Sequence, residues 1–181
     1  MIKYQGRIIE VVEEQQQIPN TNKTKTFEFA RRSPGVRAII KKDNQILLSK
    51  EFRYELNEYD YRLPGGKVFD TLEEYKQHLD DNLTNYASKA VIKECKEEVG
   101  LIAKNPKLLH ISKAGATVIW DLYYFEVTEF AETSQELEEG EFITHEWKTF
   151  EEIKELCLDN KISEDRSLGV LFRYLMKNRL L

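Results

Sequence analysis

The order of elements legible in this chain predicts an α/β sandwich on a mixed β-sheet, preceded by a small N-terminal β lobe. Three observations carry that expectation. Strand-like stretches lie on both sides of a central amphipathic helix, two further helices close the chain, and no GxGxxG or phosphate-loop motif opens a βα unit. A doubly wound parallel sheet would alternate strand and helix throughout.

KYQGRIIEVVEE alternates apolar and polar residues, as an early strand does. The polar segment QQQIPNTNKTKTFEFARRSPG becomes strand-like at TFEF, which assigns residues 1–32 to the lobe and 33–181 to the main domain. VRAIIKKDNQILLSKEF reads as a hairpin turning at KKDNQ. LPGGK, residues 63–67, reads as a loop, because glycine admits dihedrals and close backbone approaches that other residues do not. In DTLEEYKQHLDD, Leu72, Tyr75 and Leu79 recur at helical spacing, with Thr71 and Glu74 set for a capping box. A second helix over about 86–99 stops at Gly100. KLLHIS, ATVIWDLYYFEV and EFITHEWKTF are each predicted to be one strand, with the acidic run AETSQELEEGE joining the last two. FEEIKELCLD and SEDRSLGVLFRYLMKN are the closing helices.

With 181 residues, 41% of them hydrophobic and 33% charged, the chain suits one folded domain with a real core. Its net charge of −5 argues against nonspecific nucleic-acid binding. A polyanionic small substrate stays open, because a bound divalent cation reverses the local field. No apolar run approaches the roughly 20 residues of a membrane span, and MIKYQGRIIEVVEE lacks the order of a signal peptide. The expectation is a cytoplasmic protein with no membrane or nucleic-acid partner. Cys95 and Cys157 form no CxxC pair and suggest no disulfide framework.

The stretch KECKEEVGL, residues 93–101, holds the densest chemistry. At about 100° per residue, Val91, Ile92, Cys95 and Val99 share one arc of the helix, and Glu94, Glu97 and Glu98 share the next. One reading is a solvated face in which Lys93 and Glu97 form an i,i+4 pair worth a few tenths of a kcal/mol. The other is a cation site, since Mg²⁺ takes oxygen ligands and keeps several waters. Spacing alone leaves both open.

KECKEEVGL resembles the second half of the Nudix box, usually R-E-U-x-E-E-x-G-U with U aliphatic, and LPGGK resembles the loop that opens it. Glu94, Glu97, Glu98, Gly100 and Leu101 match, Lys93 keeps the charge of the arginine, and Cys95 stands in for an aliphatic residue. The interval from Gly66 to Lys93 is 27 positions. It exceeds the family pattern by about 13 residues, so residues 67–85 are read as a helical insertion that either covers the substrate or pads the surface. Asn85 falls where the family has an early glutamate.

The resemblance implies a Nudix-type α/β/α sandwich and a pyrophosphohydrolase that uses Mg²⁺, or Mn²⁺, on a nucleoside diphosphate linked to another moiety. It implies Glu94, Glu97, Glu98 and Gly66 around the metal, with Glu97 and Glu98 central to catalysis. Gly65 and Gly66 would approach the phosphates. A general base is sought in the acidic loop QELEEGEF, with Glu141 and Glu139 ranked above Glu138. The ADP-ribose pyrophosphatase branch is suggested by the N-terminal lobe, by FRYE at residues 52–55, which offers Arg53 as a phosphate contact, and by the closing helix. That branch implies a nucleotide-sugar substrate, ADP-ribose first, and a homodimer that exchanges the lobe. AGATVIWDLYYF replaces the branch's S-P-G loop, with Gly115 at the corresponding substrate-binding position. Alternatives are a non-hydrolytic nucleotide-sugar sensor, or a hydrolase of nucleoside triphosphates or dinucleoside polyphosphates. An isopentenyl diphosphate isomerase-like use of the fold is disfavoured, because Cys95 lies on the buried stripe. His78, His110 and His145 lack metal-ligand spacing, and Trp120, Tyr123, Tyr124 and Phe125 read as strand core.

Overall fold

The computed structural model describes residues 1–137 and 139–178. Strands β1 (Ile2–Gln5), β2 (Ile9–Gln17) and β3 (Thr24–Arg32) form an antiparallel N-terminal sheet. Next come β4 (Gly35–Lys42), β5 (Gln45–Arg53), β6 (Glu58–Arg62), α1 (Leu72–Gln77), α2 (Leu83–Val99), β7 (Leu101–Lys104) and β8 (Lys107–Ser112). The chain continues through β9 (Val118–Ile119), β10 (Leu122–Val127), β11 (Glu129–Glu132), β12 (Ile143–Thr149), α3 (Phe150–Leu158) and α4 (Asp165–Lys177).

The main sheet runs β12-β5-β4-β10-β8, with β6 also paired to β5. β10 is parallel to β4 and antiparallel to β8, so the sheet is mixed. Alternation along each strand then sorts side chains between two helical layers. Val36, Ala38 and Ile40 of β4, with Tyr123 and Phe125 of β10, pack on Ala87, Val91, Cys95 and Val99 of α2. Ile39, Leu122 and Tyr124, at the intervening positions, pack on Ile153 of α3 and Leu171 and Leu175 of α4. Each fully buried aliphatic side chain adds about 1.5–3 kcal/mol, so these two layers outweigh every surface ion pair. The α/β/α sandwich is as predicted.

Several elements differ from the sequence reading. ATVIWDLYYFEV is two strands because its halves belong to different sheets: β9 lies parallel to β3, and β10 parallel to β4. The chain crosses at residues 120–121, where the Asp121 carbonyl accepts from the Gly35 N–H at 2.9 Å. The start of the acidic run is strand β11, paired with β7, and β6 pairs with β5; neither β7 nor β6 is among the strands that the sequence predicts. Helix α2 begins near residue 83 rather than 86, because the Asn82 side chain accepts from the Thr84 N–H at 3.2 Å. The box at Thr71 is half formed. Thr71 accepts from the Glu74 N–H, but Glu74 accepts from Asp70 N–H instead of closing on Thr71. α1 ends at Gln77, which leaves Leu79 exposed rather than on the buried stripe. The complete capping box lies on α3, between Thr149 and Glu152.

The segment read as an insertion, residues 67–85, has its own small core of Phe69, Leu72 and Tyr75. It is tied to the N-terminal sheet by a Leu72 N–H to Arg7 carbonyl bond of 2.9 Å. It is tied also by Glu10, fully buried, which pairs with Lys76 of α1 and, at 3.1 Å, with Arg31 of β3. Removing a buried charge that two cations share costs more than removing a surface pair. Glu10→Ala is therefore expected to lose about 3 kcal/mol of stability, measured as a lower urea midpoint; an unchanged midpoint would mean that water screens both pairs.

Candidate active site

The site begins with the loop of residues 63–67, which is pinned from both sides. The Gly66 carbonyl accepts from Val36 N–H at 2.9 Å, and the Pro64 carbonyl accepts from Ala38 N–H at 2.8 Å. Gly65 donates its N–H to Glu98 Oε2 at 2.8 Å, while its carbonyl accepts from Arg37 Nη1 at 2.9 Å. Gly65 has φ of +146°, and a Cβ there would meet the Val36 carbonyl oxygen at 2.2 Å, so only glycine fits. A Cβ on Gly66 would stand 2.4 Å from Glu94 Oε1. The absence of two methyl groups lets the loop lie directly against the carboxylates of α2.

Those carboxylates line one end of a cleft. Glu94, Glu97, Glu98 and Glu141 surround a space of about 100 Å³ with Gly66, Lys67, Asp70 and Lys93. Burial, followed by repulsion from Glu97, pushes Glu94 up to about 7. Burial, followed by repulsion from Glu94, pushes Glu98 up to about 8. Glu97 is less confined and pairs with Lys93 at 3.4 Å. Among the described residues no three carboxylates, histidines or cysteines already converge on a point that would enclose an ion. The donor set is nonetheless all oxygen, crowded and short of positive charge, which suits a hard divalent cation that keeps several waters.

The other end of the cleft is basic. A space of about 250 Å³ shares Gly66, Lys67, Glu98 and Glu141 with the acidic end and is lined further by Arg32, Arg37, Arg53, Arg62, Glu51 and Trp120. The guanidinium groups of Arg32 and Arg166 each lie 4.3 Å from the centroid of the Trp120 ring. Arg32 Nε and Arg166 Nη2 are buried without a hydrogen-bond partner among the described residues. Burial, together with the charges of Arg37 and Arg166, lowers the pKa of Arg32. Cations crowded in this way, with N–H groups unsatisfied, create a local demand for an anion.

The structure brings Glu94, Glu97, Glu98, Gly65, Gly66, Arg53 and Glu141 to this cleft. Arg53 is braced by Glu51 at 3.0 Å and Glu55 at 2.7 Å. Glu141 is carried in by a tethered loop: Glu136 donates its N–H to the Glu97 carbonyl at 2.9 Å, and Gln135 bonds the carbonyls of Glu98 and Ile143. Glu139 is exposed in the adjoining turn and lines neither end, and Glu138 lies outside the described residues. Gly115 is exposed in the loop before β9, also away from the lining. Asn85 is exposed on α2 and takes no part. Sequence reasoning missed Arg37, Arg32 and Trp120. A lone arginine within the aliphatic run VRAII was the available signal for Arg37, because a buried strand admits a charge only with a partner.

Two predictions follow from this geometry. Gly66→Ala is expected to fold and to lose activity, because its methyl would displace the Glu94 carboxylate; retained activity would show that Glu94 can move freely. The second concerns pH in the metal-free protein. Glu94 and Glu98 hold protons in the folded state that the unfolded chain, titrating near 4.5, has already released. Stability of the metal-free protein should therefore fall as pH rises from about 5 to about 8. Thermal melts should record this as a falling Tm, and Glu98→Gln should flatten the slope.

The NUDIX domain matches residues 31–167 of the chain. A solved structure described as an ADP compounds hydrolase superposes with a TM-score of 0.73 at 18% identity, covering 100% of this chain and 94% of that one. No curated protein matches the sequence. Among the described residues no helix is long and apolar enough to cross a membrane. Motif, sandwich and domain match agree, and the chain belongs to the Nudix family of pyrophosphohydrolases.

Proposed function

We propose that the protein hydrolyses the diphosphate bond of a nucleoside diphosphate linked to a sugar, with ADP-ribose the first substrate to test. The observation that carries this reading is the charge split within one cleft, where carboxylates meet arginines across the shared residues Gly66, Lys67, Glu98 and Glu141. A diphosphate ester fits such a boundary, since its oxygens can face cations on the arginine side while the carboxylate side holds metal.

Nudix enzymes use divalent metal ions, and Glu94, Glu97 and Glu98 are the residues that would hold Mg²⁺ or Mn²⁺ here. When bound, such an ion supplies neutralisation of phosphate charge and acidification of water. The Gly66 carbonyl already accepts from Val36 N–H, so any contribution from it would use its second lone pair. Arg53, braced by two glutamates, and Arg32, beside Trp120, would orient the phosphates. Glu141 would take the proton of the attacking water, a role that its position in the cleft favours over Glu139. Attack at one phosphorus breaks the bridging P–O bond and yields a nucleoside monophosphate and a sugar phosphate.

The lobe of residues 1–32 leaves Ile2, Tyr4, Ile8 and Phe27 exposed, with β1 at the edge of its sheet. An exposed apolar sheet with a free edge supports the reading of a homodimer joined through this lobe. The substrate, a nucleotide sugar, would be the partner of the cleft.

Purified protein should be assayed against ADP-ribose, nucleotide sugars, dinucleoside polyphosphates and nucleoside triphosphates, with and without Mg²⁺. Turnover of a nucleoside diphosphate sugar that stops when the metal is chelated is expected. Glu97→Gln and Glu98→Gln should each lower kcat at least about 100-fold, since even outer-shell changes at metal sites reach that scale, with circular dichroism unchanged. Full activity in both variants would sink the site assignment, and ADP-ribose binding without turnover under every metal would favour a sensor.

A further inference from the structure

We propose that the cavity between the insertion and α2 is a subsite for a phosphorylated leaving moiety, so that the substrate carries a phosphate beyond its scissile diphosphate. The inference rests on the diphosphate-hydrolase reading above and deepens it by assigning chemistry to the group on the far side of the cleaved bond.

This cavity measures about 420 Å³, larger than the basic end of the cleft at about 250 Å³. It opens from the acidic end, because Lys67, Asp70 and Lys93 line both spaces. A chain of cavities thus runs from Trp120, past the carboxylates, to the insertion. Phe69 and Tyr86 form an aromatic wall, with ring centroids 5.2 Å apart, and Phe69 is fixed in the small core with Leu72 and Tyr75. The wall exists because residues 67–85 fold onto α2.

The charged lining is Lys67, Lys89 and Lys93 against Asp70 and Glu74. That is a local excess of positive charge in a chain whose net charge is −5. Lys93 is engaged by Glu97 at 3.4 Å, whereas Lys67 and Lys89 have no ion pair among the described residues. Glu74 is partly occupied in accepting from the Asp70 N–H at 3.2 Å. Ammonium groups recognise phosphate as compact, multiply donating charges. Asp70 and Glu74 can accept from hydroxyls of the same moiety, while the three lysines supply cationic donors that a neutral sugar would not need. Hydrolysis then divides the substrate in a defined way. Water adds to one phosphorus, the bridging P–O bond breaks, and the leaving product departs with the phosphate from that bond and the one it already bore.

The test compares ADP-ribose with ADP-ribose 1″-phosphate in the wild type and in Lys89→Glu, Lys89 being outside the catalytic machinery. The wild type should favour the phosphorylated substrate at least about tenfold in kcat/KM, through KM. Lys89→Glu should erase that preference, lowering kcat/KM at least about tenfold on the phosphorylated substrate and by far less on ADP-ribose. Equal constants in the wild type, or equal losses on both substrates in the variant, would overturn the subsite. Turnover of neither substrate would defeat the hydrolase reading instead. Inorganic phosphate titrated against the amide NMR shifts of Lys67, Tyr86 and Lys89 then decides the subsite independently. Saturable shifts that vanish in Lys89→Glu uphold it, and their absence in the wild type overturns it.

Discussion

The cleft depends on one buried guanidinium. Arg37 sits in β4 at the strand parity that faces α4, and it is only 7% exposed. It donates to both carboxylate oxygens of Glu164, at 3.0 and 3.2 Å, and to the carbonyls of Val36 and Gly65, each at 2.9 Å. Burial works against its charge, yet the opposing carboxylate of Glu164 raises its pKa above the ordinary arginine value. Four hydrogen bonds to fixed acceptors repay a desolvation cost that a lone cation could not meet. The physical result is that the start of α4, the central strand and the glycine loop share one junction. Glu98 grips the same glycine from α2, so both helical layers of the sandwich hold Gly65.

That junction also explains how repelling charges can be tolerated nearby. Glu94 and Glu98 are held close by the loop and helix, with protonation favoured by burial first, then by repulsion from Glu97 on Glu94 and from Glu94 on Glu98. At the other end Arg32 and Arg166 crowd Trp120, each with one buried N–H-bearing nitrogen unsatisfied among the described residues. Each end is costly alone, and each carries the charge that a ligand could complement. The stability that offsets both comes from elsewhere, chiefly the two apolar layers that α2, α3 and α4 bury against the sheet.

Much of this was legible because strict periodicities leave strong traces. The stripe Val91, Ile92, Cys95 and Val99 and the adjacent glutamates follow from the 3.6-residue repeat; Val91, Cys95 and Val99 are in the core, and Ile92 lies half-buried at its edge. The near-continuous apolar runs in VRAII and LYYF likewise report strands packed on both faces. Strands of four residues such as β7 and β11 are too short to leave such a trace, and each is paired with the other. The break at Trp120 was invisible for a related reason: a change of sheet is a tertiary event within a run of uniform β-propensity. Arg37 and Glu164 are 127 positions apart, and nothing local announces that they meet.

The segment of residues 67–85 shows what an element can add without disturbing the loop and helix around it. It enters after Lys67 and rejoins α2 well before Glu94, so the loop bonds of Gly65 and Gly66 and the catalytic half of the helix keep their register. Its own core of Phe69, Leu72 and Tyr75 is too small to stand alone. Glu10 and the Arg7 carbonyl therefore couple it to the N-terminal sheet, while Val68, Leu83 and Tyr86 seal it onto α2. These anchors hold residues 67–85 beside the cleft, where Lys67 and Asp70 line the acidic end. A segment held there limits what can extend from the carboxylates toward α2, so under the proposed hydrolase reading residues 67–85 would bear on substrate shape while Glu94, Glu97 and Glu98 would bear on chemistry.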